Sequence, residues 1–166
     1  MSMVGNLLIV SSEELNLYLQ DSSRFEDRIF GDQADPEDPN LIFIDKSWEG
    51  VHFILTGAGI ADESEHPLKK VLFSEQFIDE NQDLGYGPAH YLSSEDVIQI
   101  NEQLARISKP ELQARYNPQQ MMELGIYPEG WDHPDSKEFL FDHYAMVEQA
   151  FASAAKTGKA IITFLT

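Results

Sequence analysis

An α+β fold is what this chain predicts: a single domain spanning residues 1–166. In it a small mixed or antiparallel sheet packs with several helices, and a long C-terminal helix is followed by a closing strand. Three observations lead there. Four short apolar runs read as strands: Leu7–Val10, Leu41–Ile44, Ala89–Leu92 and Lys159–Leu165. The helical pieces between them have unequal lengths, so no regular βαβ alternation arises. No internal repeat, low-complexity linker or compositional break divides the 166 residues, and a chain of this size buries roughly two-thirds of its unfolded surface.

Each element has a local reason. After the first strand, Ser11-Ser12-Glu13-Glu14 forms a capping box that opens a helix carrying Leu15, Leu19 and Tyr18 inward. Gly31 to Asn40 holds two prolines and no periodicity, and predicts a loop. Asp45 is a good N-cap for a helix in which Trp48, Val51, His52 and Leu55 fall at i, i+3, i+4 and i+7. Gly57 stands where that helix would end in a left-handed residue. Gly57 to His66 is an acidic loop, and Pro67 suits the first turn of a short helix through Phe73. Ser93 caps a helix with Val97, Ile100, Leu104 and Ile107 on one face. Pro110 and Pro118 punctuate two shorter pieces that end at Gly125. Asp135 opens a long helix to about Thr157, with Phe139, Leu140, His143, Tyr144, Val147 and Phe151 spread over more than one side, which predicts a central position.

Composition narrows the function classes. Eleven Lys+Arg against 29 Asp+Glu give a net charge of −18, which disfavours direct nucleic-acid binding and repels anionic membranes. The excess is uneven: residues 1–40 hold nine acids and two bases, and residues 62–83 hold seven acids and two bases. Such faces keep a chain soluble, and they also steer basic partners. The absence of cysteine removes disulfides, thiolate metal sites and a cysteine nucleophile. No apolar run approaches the length of a membrane span, and MSMVGNLLIV lacks the basic n-region of a secretory signal, so a cytoplasmic location is expected.

Motifs that carry chemistry are mostly broken. Gly57-x-Gly59 continues to Asp62 where a dinucleotide fingerprint needs glycine, and Gly158-Lys159 lacks the upstream glycine and following Ser/Thr of a P-loop. Neither a G-x-S-x-G elbow nor H-E-x-x-H occurs. Asp32, Asp35 and Asp38 lack the spacing and glycine of an EF-hand. His66, His133 and His143 each follow an acid, but so acidic a chain produces that adjacency by composition, so no metal and no cofactor are expected.

Three clusters are left as site candidates. Lys46 lies in the first turn of its helix, where the dipole disfavours a cation and a carboxylate partner or ligand anion is wanted; Trp48 and His52 follow on the same helix. Gly85-Tyr86-Gly87-Pro88 is either a turn requiring positive φ or a loop that lets backbone approach a ligand. Tyr127-Pro128 with Trp131 places two large rings on one loop, as core cover or as a stacking surface. The candidate ligand-binding set is therefore Lys46, Trp48, His52, Gly85, Tyr86, Tyr127 and Trp131.

These clusters also carry a resemblance. Asp45-Lys46-x-Trp48 with His52 and Leu55-Thr56-Gly57, Gly85-Tyr86-Gly87-Pro88-Ala89 with Tyr91-Leu92, and Ile126-Tyr127-Pro128 with Trp131 follow one another as in the YfbM-like family of bacterial proteins of unknown function. The chain resembles that family from Met1 to the final strand. Two departures stand out: Ser2 replaces the usual glycine, and His90 stands where an arginine is common. The resemblance implies a small single-domain α+β protein, with no established substrate, cofactor or catalytic residue.

Two functional expectations follow. The first is an acidic protein-binding module of the inhibitor or immunity type, engaging a basic protein partner. The alternative is a small-ligand-binding protein or enzyme whose pocket is lined by Lys46, Trp48, His52, Tyr86 and Tyr127.

Overall fold

Strands β1 (Gly5–Val10), β2 (Leu41–Asp45), β3 (His90–Leu92) and β4 (Ala160–Leu165) form one antiparallel sheet in the order β2-β1-β4-β3. This is a computed structural model, and it describes residues 2–166. The last strand in sequence is thus an inner strand, hydrogen-bonded along its length to β1 and, at its middle, to β3. Both inner strands are almost continuously apolar because both faces of the sheet are covered. Leu7, Ile9 and Ile161 point into one core, and Leu8, Val10, Ala160, Ile162 and Phe164 into the other.

Seven α-helices surround the sheet among the described residues: α1 (Ser12–Gln20), α2 (Ser22–Phe30), α3 (Trp48–Thr56), α4 (Ser94–Ala105), α5 (Lys109–Ala114), α6 (Pro118–Glu123) and α7 (Ser136–Thr157). On one side α3, α4 and α7 contribute Trp48, Val51, Val97, Ile100, Leu140, Val147 and Phe151 to the larger core. On the other, α1 and α2 contribute Leu15, Tyr18 and Phe25. No helix among the described residues is long and apolar enough to cross a membrane.

The α+β architecture agrees with the sequence, and two of the predicted caps form: Ser11 with Glu14, and Ser93 with Asp96, are both complete capping boxes. Five details differ. Helix α1 buries Leu15 and Tyr18 but leaves Leu19 exposed, and Asp21 ends it by capping an unforeseen second helix, accepting from Ser23 N at 3.1 Å. Helix α2 hides in the sequence because Phe25 is its one fully buried residue. Asp45 does not cap α3; it is the last residue of β2, at φ 50°, and Ser47 occupies the cap position. There the Ser47 hydroxyl donates to Ile44 O at 2.6 Å, tying the turn to the strand. The piece starting at Pro67 is a 3₁₀ helix that stops at Val71. Helix α7 buries a single stripe, Leu140, Tyr144, Val147, Ala150, Phe151 and Ala154, against the sheet and helices α3 and α4.

Candidate functional site

The seven candidate residues do not line one cavity. Trp48 is 1 % exposed; its ring stacks on Tyr127 at 5.5 Å and 27°, and its indole N–H donates to Met3 O at 3.1 Å. The Tyr127 hydroxyl accepts from Met3 N at 3.0 Å, so these two rings hold the N-terminal segment against the core. Trp131 is also buried, with its indole N–H on Ile126 O at 2.9 Å and its ring pressed on Gly50. Gly85 and Tyr86 sit in an exposed turn, anchored where Asp83 Oδ1 accepts from Gly85 N at 2.9 Å and Gly87 N at 3.2 Å. The positive φ values of 122° and 96° at Gly85 and Gly87 are what this turn needs. Lys46 is half-buried and has no acid within 4.0 Å among the described residues. Large rings gain much from burial; Trp48 and Trp131 belong to the core, and half-buried Tyr127 packs against it.

His52 is different. It projects from α3 into the wall of a cleft of about 580 Å³ that also takes in Lys69, Phe73, Glu75, Phe77 and His90. The acidic loop after α3 supplies Asp62, Glu63 and Glu65 to the rim. Phe73 joins the parts: its ring meets His52 edge-on at 5.5 Å, His90 at 5.6 Å and Trp48 at 5.9 Å. Phe77 lies 4.7 Å from His90. Lys69, the one lysine of the lining, pairs with Glu75 at 3.6 Å.

Both imidazoles are held neutral. Burial pushes His52 down to about 4, with the positive charges of Lys69 and His66 adding to the effect. Burial also pushes His90 down to about 4, against an opposing pull from Glu75. The His90 Nδ1 accepts from Glu75 N at 3.0 Å, so its proton resides on Nε2. The His52 Nδ1 is sealed from solvent and has no hydrogen-bond partner, an arrangement that costs free energy. A second cleft of about 580 Å³, between α5 and α7, is lined by Leu112, Phe141 and Tyr144 and contains no such orphan.

Nothing in the sequence pointed to Phe73, Phe77, Lys69 or Glu75. His90 was visible as a departure from an expected arginine. Its place beside Phe73 depends on β3 pairing with β4, and on the bridge between Phe77 and His90. No group of three or more His, Asp or Glu side chains among the described residues is placed to hold a metal ion.

Charge is organised on a larger scale as well. In residues 1–40 both arginines are consumed locally: Arg28 pairs with Glu14 and Asp38 at 2.8 Å each, and Arg24 with Asp21 at 3.8 Å. Glu13, Glu26, Asp27, Asp32, Asp35 and Glu37 are left exposed, with no cation within 4.0 Å among the described residues. The Ser22 hydroxyl donates to Asp79 at 2.8 Å, and the Gln82 amide donates to Ser22 O at 3.1 Å. The acidic stretches 1–40 and 62–83, far apart in sequence, therefore meet at α2.

Comparison with known proteins agrees with the fold. The family model described as "Domain of unknown function (DUF1877)" matches residues 1–164. Among solved structures, a protein of unknown function, YfbM from Escherichia coli, superposes with a TM-score of 0.73 at 18 % identity, covering 98 % of this chain and 99 % of that one. No curated protein matches.

Proposed function

The chain belongs to the DUF1877 family of domains of unknown function, and we propose that it acts as an acidic protein-binding module of the inhibitor or immunity type, engaging a basic protein partner. The observation that carries this reading is the junction at α2. Two acidic stretches are hydrogen-bonded side by side, and the arginines of the first are already paired within it. Closely spaced uncompensated carboxylates raise the local potential and steer a cationic surface into register. Anionic partners, nucleic acid and anionic lipid included, are repelled by the same field.

The test uses the purified protein as bait against a host lysate, alongside a variant with Glu13, Glu26, Asp27, Asp32, Asp35 and Glu37 changed to their amides. Retained proteins are identified, and association rates are measured against ionic strength. The reading holds where a basic protein is retained by the wild type and its on-rate falls steeply with salt, and where the amide variant associates more slowly with a flatter salt dependence. It is overturned where the variant associates at the same rate, or where association ignores salt.

The alternative, a small-ligand protein or enzyme, has one observation in its favour. The cleft at His52 lies within the roughly 300–1,000 Å³ range of small-molecule sites and has a buried, neutral imidazole in its wall. Of the pocket expected from Lys46, Trp48, His52, Tyr86 and Tyr127, this cleft takes only His52. A reproducible extra mass in native mass spectra that disappears on His52→Phe supports it, and a bare wild-type mass counts against it.

A further inference from the structure

We propose that the His52 cleft is the receptor for a single arginine side chain. The inference rests on the basic-partner reading and names the chemistry by which that partner is gripped.

Three independent features converge on a guanidinium. The first is charge. Asp62, Glu63, Glu65 and Glu75 line the rim, and the only cation among the lining residues, Lys69, is already turned to Glu75. A carboxylate or phosphate ligand entering here meets a net negative rim, whereas an organic cation is drawn in.

The second is shape. Phe73 and Phe77 flank the His90 ring, with centroids 5.6 and 4.7 Å from it, on a lining that is otherwise Ile60 and Pro88 on its apolar side. Aromatic rings favour a planar, weakly hydrated guanidinium over the compact and strongly hydrated ammonium of lysine.

The third is the imidazole itself. His52 is the most buried residue of the lining, 5 % exposed; its Nδ1 is sealed inside the wall, so the edge left to accept from a ligand is Nε2, which makes no hydrogen bond to another described residue. Neutral imidazole has one nitrogen able to accept a hydrogen bond, and a guanidinium brings five N–H donors in a fixed fork. One arm of the fork can satisfy an imidazole while the others reach carboxylates, which the single point of an ammonium does poorly. The cleft volume of about 580 Å³ exceeds one side chain, leaving room for the flanking backbone of the segment that carries it.

The experiment follows the His52 and His90 imidazole signals by NMR in the full-length protein, at neutral pH. The probes are N-acetyl-arginine amide, N-acetyl-lysine amide and N-acetyl-citrulline amide, the last having arginine's shape without its charge. The arginine probe is expected to shift both imidazoles saturably, and the lysine probe to bind more weakly. Citrulline should have no effect. Changing exposed Glu63, Glu65 and Glu75 together to glutamine should weaken the arginine probe about tenfold, as expected for removing three rim charges each worth a modest amount. Because these three side chains are exposed, the variant is expected to fold, and an unchanged amide spectrum away from the cleft checks that it has. Unmoved imidazoles at saturating probe, or equal binding of citrulline, overturns the proposal. Salt-dependent association with a basic protein that persists alongside unmoved imidazoles overturns the arginine receptor alone and leaves the acidic-face reading standing; loss of both overturns both.

Discussion

Mild acid should weaken this fold through His52 and His90 before any ordinary carboxylate titrates. Above about pH 6.5 both imidazoles are neutral whether the chain is folded or not. Below that value the unfolded chain takes up protons on both, while the folded chain, in which burial pushes both groups down to about 4, does not. The unfolded state then binds more protons, so stability falls as pH falls from about 6.5 towards 4 and levels off beneath. For His52 the loss is about 2 kcal/mol at pH 5 and on the order of 3 kcal/mol by pH 4. His90 is more open to water and contributes less. Urea unfolding at pH 7.5 and pH 5, at fixed ionic strength, measures the effect. With a slope near 2 kcal/mol per molar, the His52 part alone moves the midpoint by about 1 M. His52→Phe keeps a ring against Phe73 and removes both the titration and the orphan nitrogen. The variant should be no less stable than wild type at pH 7.5 and should lose about 2 kcal/mol less on going to pH 5. An identical loss in wild type and variant would refute the burial of a neutral His52.

Two further outcomes follow from the packing around the same helix. Gly50→Ala sets a Cβ 2.5 Å from Trp131 Cη2 and 2.8 Å from Cζ2, both on a buried rigid ring, so it should destabilise by about 1–3 kcal/mol and alter the near-ultraviolet dichroism of tryptophan. Glu49 is buried and its two carboxylate oxygens accept from Ile60 N at 3.1 Å and Tyr127 N at 2.8 Å; Glu49→Ala strands both amides and should cost about 2–4 kcal/mol, with faster proteolysis between Gly57 and His66.

The sequence by itself determined what nearest neighbours decide. Ser11 with Glu14 and Ser93 with Asp96 cap their helices because the partners lie three residues apart, and Gly57 and Gly158 end theirs because they reach positive φ without strain. The four apolar runs became the four strands for the same local reason. Charge, too, was a property of composition. Tertiary structure decided everything that joins distant residues. It inserted β4 between β1 and β3, which sets His90 within reach of Phe73 and Phe77. It stacked Trp48 on Tyr127, committing to the core two rings that the sequence alone offers as pocket residues. It left His52 with one unanswered nitrogen, and it brought Asp79 and Gln82 to Ser22, 57 and 60 residues away. Caps and periodicity act over one or two turns of chain. A cleft or a charged face is made by which elements bury apolar surface against which others, and that choice has no local signature.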